Sequence, residues 1–162
     1  MPAVMLLALC KHLSYREVNI MGLNRLLLSK KAAAAGDNVF IMTMGQLYYQ
    51  TGYSRYNTSF GDVEGNMQHE GKAVTLLMLC WDGSYLDFIF NVEGVTSGRY
   101  NVTIKITSME TNTTANIEFP NISYKSYIPG FYEYTQNLTS DAANMFSRAN
   151  VGKKFKVEIV FN

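Results

Sequence analysis

The sequence predicts an all-β protein, an antiparallel β-sandwich or jelly roll of about seven to eight strands with a short N-terminal helix or arm. Apolar and polar residues alternate with a period of two in several segments, each with one polar face, which is typical of antiparallel sheets. Turn residues separate these segments at roughly 8–12-residue spacing. An Asp82-Gly83 pair between two of them is a strong hairpin signal.

The segment 21–35, MGLNRLLLSKKAAAA, consists mainly of Leu, Lys and Ala and contains no β-branched residue. This composition favours a helix, and Gly36 is a usual helix stop. Because a helix of this length is marginal in isolation, the segment predicts a short helix or an arm that a partner orders.

Beyond Gly36 the apolar period becomes that of a strand. Residues 39–49 predict one or two strands. Residues 49–61 are rich in Tyr, Gly, Ser and Asn and predict a loop that continues to about Gly71. Loops of that length are usually functional or mobile.

The clearest hairpin joins residues 73–81, an apolar run, to residues 85–93 through the turn Asp82-Gly83-Ser84. The second strand alternates. Its apolar face holds Leu86, Phe88, Phe90 and Val92, and its other face holds Asp87, Ile89, Asn91 and Glu93. The apolar face is predicted to point into the core.

Further strands follow the hairpin. They are predicted at residues 99–107, at 115–119 with an end at Pro120, at 122–126 and at 153–161. A helical turn is predicted at residues 142–148, because Thr139-Ser140-Asp141 supplies N-capping side chains.

Charge divides the chain into a leader and basic arm, residues 1–35, and a β-sandwich domain, residues 36–162. The first part has five basic residues and one acidic residue, and the second has nine basic and twelve acidic residues. The overall charge of +1 argues against a nucleic-acid binder. The hydrophobic content of 48% excludes a disordered chain, and no stretch approaches the ~20 apolar residues of a membrane span.

The first twenty residues suggest a translated leader. Arg16-Glu17-Val18 can be encoded by a purine-rich GGAGGT run, and two more codons precede Met21. That layout is typical of a bacterial ribosome-binding site, so we expect the start at Met21 and residues 1–20 to be absent from the mature protein. A signal peptide in MPAVMLLALC is the alternative, although it lacks a basic n-region.

No motif in the chain predicts catalysis, and we expect no enzyme, cofactor or metal. Cys80 lies in an apolar run and is predicted to be a buried small residue. His69 lies in a Gly-flanked segment without a second histidine nearby. An enzyme using a carboxylate pair in the 62–70 segment (Asp62, Glu64, Glu70) is the alternative left open.

Five N-x-S/T sequons occur, at Asn57, Asn101, Asn112, Asn121 and Asn137. We favour the interpretation that Asn and Thr cover the exposed strand faces of a low-charge β protein. Glycosylation of a secreted protein is the alternative.

Aromatic residues form two clusters along the sequence. Loop tyrosines supply amphipathic contact area for proteins and sugars, although half of them are equally explained as caps of the core. The candidate partner or glycan contacts are Tyr48, Tyr49, Tyr53, Tyr56, Phe60, Tyr132 and Tyr134.

The stretch from Gly36 to Ile106 resembles small β modules of tailed-bacteriophage virion proteins. The likeness lies in GDNVFIMTMGQLYYQTGYSRYNTSFG, AVTLLMLCWDGSYLDFIFNVEG and GRYNVTIKI. It implies a virion component (tail, fibre-attachment or capsid-decoration protein) that assembles with other virion proteins or with itself and touches host-surface glycans as a further option.

On this reading the basic segment docks on a neighbouring subunit. The candidate docking residues are Arg25, Leu26, Leu27, Leu28, Lys30 and Lys31. A secreted carbohydrate-binding or adhesion module is the alternative function.

Overall fold

The structure is a computed structural model that describes the backbone of residues 38–48 and 54–162 and the side chains of residues 38–45 and 64–162. The predicted leader, the predicted helix or arm at 21–35, and Tyr49 and Tyr53 lie outside the described residues.

The described chain contains eight strands, one α-helix and one 3₁₀ turn. The strands are β1 Val39–Tyr48, β2 Ser54–His69, β3 Lys72–Trp81, β4 Leu86–Val92, β5 Arg99–Ser108, β6 Thr114–Lys125, β7 Gly130–Thr135 and β8 Lys154–Phe161. Between β7 and β8 lie the helix α1, Ser140–Met145, and the 3₁₀ turn Arg148–Asn150.

All strand pairs are antiparallel, and they close into one barrel in the order β1-β2-β3-β4-β7-β6-β5-β8. The closing pair is β1 with β8, where Phe40 lies opposite Val157. The all-β prediction is confirmed. The two-layer sandwich or jelly roll is not, because the eight strands form a single closed sheet. Period-two alternation separates an inner from an outer face and does not distinguish these architectures.

The long loop predicted at residues 49–71 is wrong over most of its length, because β2 occupies residues 54–69. The strand pairs with β1 on one side and β3 on the other, which satisfies the backbone of a segment with loop-like composition. Its register is irregular: Thr43 lies opposite Ser59 but Ile41 lies opposite Glu64, so residues 60–63 interrupt the ladder. The Gly and Asn residues of the segment fit such an irregular strand.

β6 is one strand, although the sequence predicted two short strands separated at Pro120. The register shifts there, since Val102 lies opposite Phe119 and Tyr100 lies opposite Ile122. The extra residue forms a bulge, which tolerates a proline without a backbone N–H. β7, which the sequence analysis did not predict, pairs with β4 and β6 and completes the barrel.

The predicted turn and the predicted helix cap are both present. Asp82 Oδ1 accepts hydrogen bonds from the backbone N–H of Ser84 (2.8 Å) and Tyr85 (2.7 Å). The Thr139 hydroxyl oxygen accepts from the backbone N–H of Ala142 at 3.2 Å and caps α1.

The core is the inside of the barrel, and side chains of α1 and the adjoining Phe146 pack into it. In β4, Phe88 and Phe90 point inward, as predicted. The other face of β4 is not a solvated polar face, however, because Asp87 and Ile89 are both buried. Within the described part of the chain, no helix has the length and hydropathy of a membrane span.

Candidate functional site

Three tyrosines, Tyr85, Tyr132 and Tyr134, form with Asp87 the cluster that we call the tyrosine surface. On β7, Phe131 points into the core, so Tyr132 and Tyr134 point outward by strand alternation. Tyr134 is 44% exposed. Its ring meets that of Tyr85 edge to face, with 5.5 Å between centroids, a geometry that stabilises aromatic pairs.

Asp87 anchors the tyrosine surface. It is only 4% exposed, and its Oδ1 accepts a hydrogen bond from the Tyr132 hydroxyl at 3.0 Å. A buried carboxylate requires such donors because burial removes its hydration. The bond therefore fixes the orientation of Tyr132 on β7 relative to β4.

The strand register brings Tyr56 of the first aromatic cluster and Tyr134 of the second to the same end of the barrel. Tyr56 of β2 lies opposite Trp81 of β3, Trp81 lies opposite Leu86 of β4, and Leu86 lies opposite Thr135 of β7. At about 4.8 Å between neighbouring strands, the backbone at residue 56 lies roughly 14 Å from that of β7. Tyr134 and the β1–β2 hairpin therefore border one surface region.

The candidate residues on this hairpin occupy different positions along its strands. Tyr48 ends β1, opposite Ser54 of β2, so its backbone is at the barrel end. Phe60 belongs to the four residues that interrupt the β2 ladder. The side chains of Tyr48, Tyr56 and Phe60 are outside the described part.

Other aromatic residues close the opposite end of the barrel instead of forming a contact surface. The His69 ring stacks on Phe161 with centroids 3.8 Å apart, and Tyr100 meets Phe161 edge to face at 5.1 Å. Tyr124 packs edge to face on Phe131 at 5.5 Å. Burial, and after it the negative charge of Glu70, raises the pKa of the Tyr100 phenol. These tyrosines cap the core, as the alternative interpretation expected.

The Glu64 and Glu70 carboxylates of the 62–70 segment do not converge. Glu64 Oε1 accepts a bond from Lys154 Nζ at 3.3 Å, whereas Glu70 lies six residues further on, in the β2–β3 turn. Six extended residues span about 20 Å. No group of three or more potential metal ligands (His, Cys, Asp or Glu) occurs among the residues that the structure describes, and the Asp62 side chain lies outside them.

The described sequon asparagines occupy exposed positions on strands and turns. Asn101 Oδ1 accepts a hydrogen bond from the backbone N–H of Asn121 at 2.8 Å and so braces the β6 bulge. Asn112 and Asn121 both have positive φ, a conformation that asparagine tolerates better than most residues. Asn101, Asn112 and Asn121 therefore have structural roles in this fold.

Comparison with family models, with curated proteins and with solved structures finds no match to this chain. The candidate functional site is therefore defined by the geometry of its own residues alone. Sequence reasoning found Tyr132 and Tyr134 and missed Tyr85 and Asp87. A signal for Asp87 existed: it is the acidic residue two positions before Ile89 on a strand face predicted to be polar, and the mixture on that face indicates partial burial.

Proposed function

We propose that the protein is a structural component of a bacteriophage virion, as a tail, fibre-attachment or capsid-decoration protein that acts through protein–protein assembly. The observation that supports this proposal is the pair of the half-buried Tyr85 and the exposed Tyr134 beside the β1–β2 hairpin. Rigid, half-buried tyrosines are the side chains that protein interfaces favour.

The closed sheet supports the same proposal. Every described strand has a neighbour on both sides, so the barrel offers partners no free strand edge. Association must then use side-chain surfaces and flanking segments. The basic segment with Arg25, Lys30 and Lys31, outside the described residues, is part of the proposal as the contact to an acidic neighbouring subunit.

The test combines particle composition with self-association. Mass spectrometry of purified particles should detect the chain as a stoichiometric component, and sedimentation should show concentration-dependent oligomers. Tyr134→Ala should weaken this association about tenfold, whereas Thr103→Ala on β5, two strands away from β7, should leave it unchanged. A monodisperse monomer together with absence from purified particles would overturn the proposal.

A secreted carbohydrate-binding or adhesion module is the second candidate. The edge-to-face tyrosines at the barrel end favour it, since sugars stack on exposed aromatic rings. Glycan-array binding of the full chain that disappears in Tyr53→Ala/Tyr56→Ala and in Tyr134→Ala, but not in Thr103→Ala, would support it. No binding to any glycan on the array would eliminate this candidate and leave the virion proposal intact.

A further inference from the structure

One region of the barrel exterior is apolar and covered. We call it the outer apolar face. Its members are buried but do not belong to the cluster that fills the barrel, and they are Leu77, Met78, Cys80 and Ile89. Their exposed fractions are those of one chain by itself, so the layer that buries them belongs to the same chain.

The strand register explains why these side chains point away from the core. Leu79 lies opposite Phe88, and both belong to the core cluster. The neighbouring pair, Met78 with Ile89, therefore points outward, and Cys80 lies two positions after Met78 on the same side. Met78 is nevertheless 2% exposed, and Ile89 and Cys80 are each 1% exposed. Outward side chains this well buried require a layer of protein above them.

Cys80 indicates which part of the chain reaches this face. Its sulfur is in a disulfide bond, and the sequence contains one other cysteine, Cys10. A disulfide holds the Cβ atoms of its two residues about 3.8 Å apart. A bond between these two cysteines would therefore bring the segment around Cys10 directly onto the face.

Other side chains near Cys80 make further interactions. Asp87 lies opposite Cys80, is 4% exposed, and has an interaction in addition to the hydrogen bond from the Tyr132 hydroxyl. Residues of the β3–β4 turn, the β6–β7 connection and β7 also have further interactions, and these are Asp82, Tyr85, Tyr127, Tyr132 and Tyr134. A segment laid over this side of the barrel accounts for such interactions.

A buried amide oxygen on β4 also agrees with a cover. Asn91 lies two residues beyond Ile89, so it points outward with it. Its Oδ1 is out of contact with solvent and, within the described residues, has no hydrogen-bond partner. An outward amide oxygen on an uncovered strand would be hydrated.

The N-terminal part of the chain is long enough to reach the face. Asn38 Oδ1 accepts a hydrogen bond from the backbone N–H of Gln68 on β2 at 2.7 Å, and β2 is the neighbour of β3. Residues 11–37 connect Cys10 to Asn38. Even as a continuous helix this connection would span about 40 Å, whereas neighbouring strands lie only about 4.8 Å apart.

The chemistry of the segment around Cys10 matches the face. Residues 1–10, MPAVMLLALC, carry no charged side chain and suit an apolar surface. Lys11 follows directly, and a cation beside the buried Asp87 carboxylate would offset its lost hydration. An apolar run with a cation at its end therefore complements an apolar face with an acid at its edge.

We propose that a disulfide between Cys10 and Cys80 of the same chain fixes residues 1–11 over the outer apolar face as a layer of the folded protein. Closing the bond joins the two sulfurs and passes two electrons and two protons to a disulfide oxidant, which is reduced to a dithiol. The inference requires residues before Met21 in the mature protein, in place of the start at Met21 that the sequence suggests. It goes beyond the proposed assembly function, because such a bond suits a virion surface and a secreted protein alike.

Peptide mapping tests the bond itself. The full chain is equilibrated in a glutathione redox buffer, its remaining thiols are blocked, and it is digested without reductant. We expect a linked peptide pair that joins Cys10 to Cys80, from a protein that runs as a monomer in non-reducing electrophoresis. A free Cys80 thiol, a disulfide-linked dimer, or a native protein that begins at Met21 would each overturn the proposal.

Methionine oxidation of the full chain by hydrogen peroxide, read by mass spectrometry, tests the cover. Met109, 44% exposed, reports free access, and Met42, fully buried inside the barrel, reports that the core is intact. Met78 should be protected in the parent protein. In Cys10→Ser its oxidation rate should rise about tenfold toward that of Met109, because the segment is released from the face, while Met42 stays protected.

Ser14→Ala is the matched control, since it changes the same part of the chain, keeps both cysteines and should leave Met78 protected. Unchanged Met78 protection in Cys10→Ser, or free oxidation of Met78 in the parent, would overturn the proposal. Each of these outcomes is independent of whether the protein occurs in particles.

Discussion

The two sides of the barrel differ on the outside although they are alike on the inside. The strands β5 and β8, and β6 as far as Phe119, alternate, with Ile104, Ile117 and Ile159 inward and mainly polar side chains outward. On β3 and β4 the outward positions hold Met78 and Ile89, which are as buried as the core. The inward pattern of a strand therefore identifies the fold class, and its outward pattern indicates where the barrel is covered.

The outward side chains of β5, β6 and β8, which we call the polar side, contribute little to the stability of the fold. Lys105 lies opposite Glu158, and the Thr107 and Thr114 hydroxyl groups are 2.8 Å apart. Such exposed pairs contribute about 1 kcal/mol or less. The buried outward residues of β3 and β4 should contribute as much to the free energy of unfolding as core residues do. Unfolding experiments on single variants can measure this difference between the two sides.

The largest expected difference is between Ile89→Ala and Thr103→Ala, two outward positions, one on β4 and one on β5. Ile89→Ala should lower the free energy of unfolding by about 2–4 kcal/mol, since Ile89 is 1% exposed and its loss leaves a cavity. Thr103→Ala removes an exposed hydrogen bond from Asn162 Nδ2 and should change the free energy of unfolding by about 1 kcal/mol or less. Urea unfolding measures both. Equal small effects would show that Ile89 is not covered in solution.

Gly130→Ala tests how closely the start of β7 packs beside β4 and the Leu77 side chain of β3. The added Cβ would lie 2.9 Å from the Phe90 carbonyl oxygen and would press on Ile89 and Leu77. Overpacking of this kind should cost about 1–3 kcal/mol in thermal or urea unfolding. The control is Ser126→Ala, at an exposed position of the β6–β7 connection, which should be neutral. A neutral Gly130→Ala would mean that the start of β7 does not pack this closely on Ile89 and Leu77 in solution.

Tyr132→Phe tests the hydrogen bond that joins β7 to the buried Asp87 of β4. Loss of the hydroxyl donor to the buried Asp87 carboxylate should cost about 1.5–3 kcal/mol, the usual range for a bond to a charged group. Tyr124→Phe, on β6, keeps the ring that packs on Phe131 and should stay within about 0.5 kcal/mol. If the two variants unfold at the same urea concentration, the Asp87–Tyr132 bond contributes no net stability.

Most of the fold was predictable wherever local pattern and tertiary environment agree. The Asp82-Gly83 turn, the α1 cap at Thr139 and the alternating strands on the polar side all follow from short-range chemistry. β2 did not, because its Gly, Asn and Tyr residues have loop-like composition and only pairing with two neighbours makes it a strand. Closure of the barrel depends on the long-range β1–β8 pair, which no local signal specifies.

The candidate site was predictable only in part. Tyr132 and Tyr134 were identified from their place in an aromatic cluster, without knowledge of the strand that carries them. Tyr85 becomes their partner through the β4–β7 pairing, which brings the β3–β4 turn beside the end of β7. Asp87 was assigned to a polar face because alternation alone does not report what covers a strand.

The smallest predicted effect has the opposite sign. Asn91→Val removes an amide whose buried Oδ1 has no hydrogen-bond partner among the described residues, so it should raise the free energy of unfolding by about 1 kcal/mol. Asn116→Val makes the same change at an exposed outward position of β6 and should stay within about 0.5 kcal/mol. Strand propensity changes equally in the two variants, so their difference in urea midpoint isolates burial. A destabilised Asn91→Val would show that Oδ1 accepts a hydrogen bond in solution.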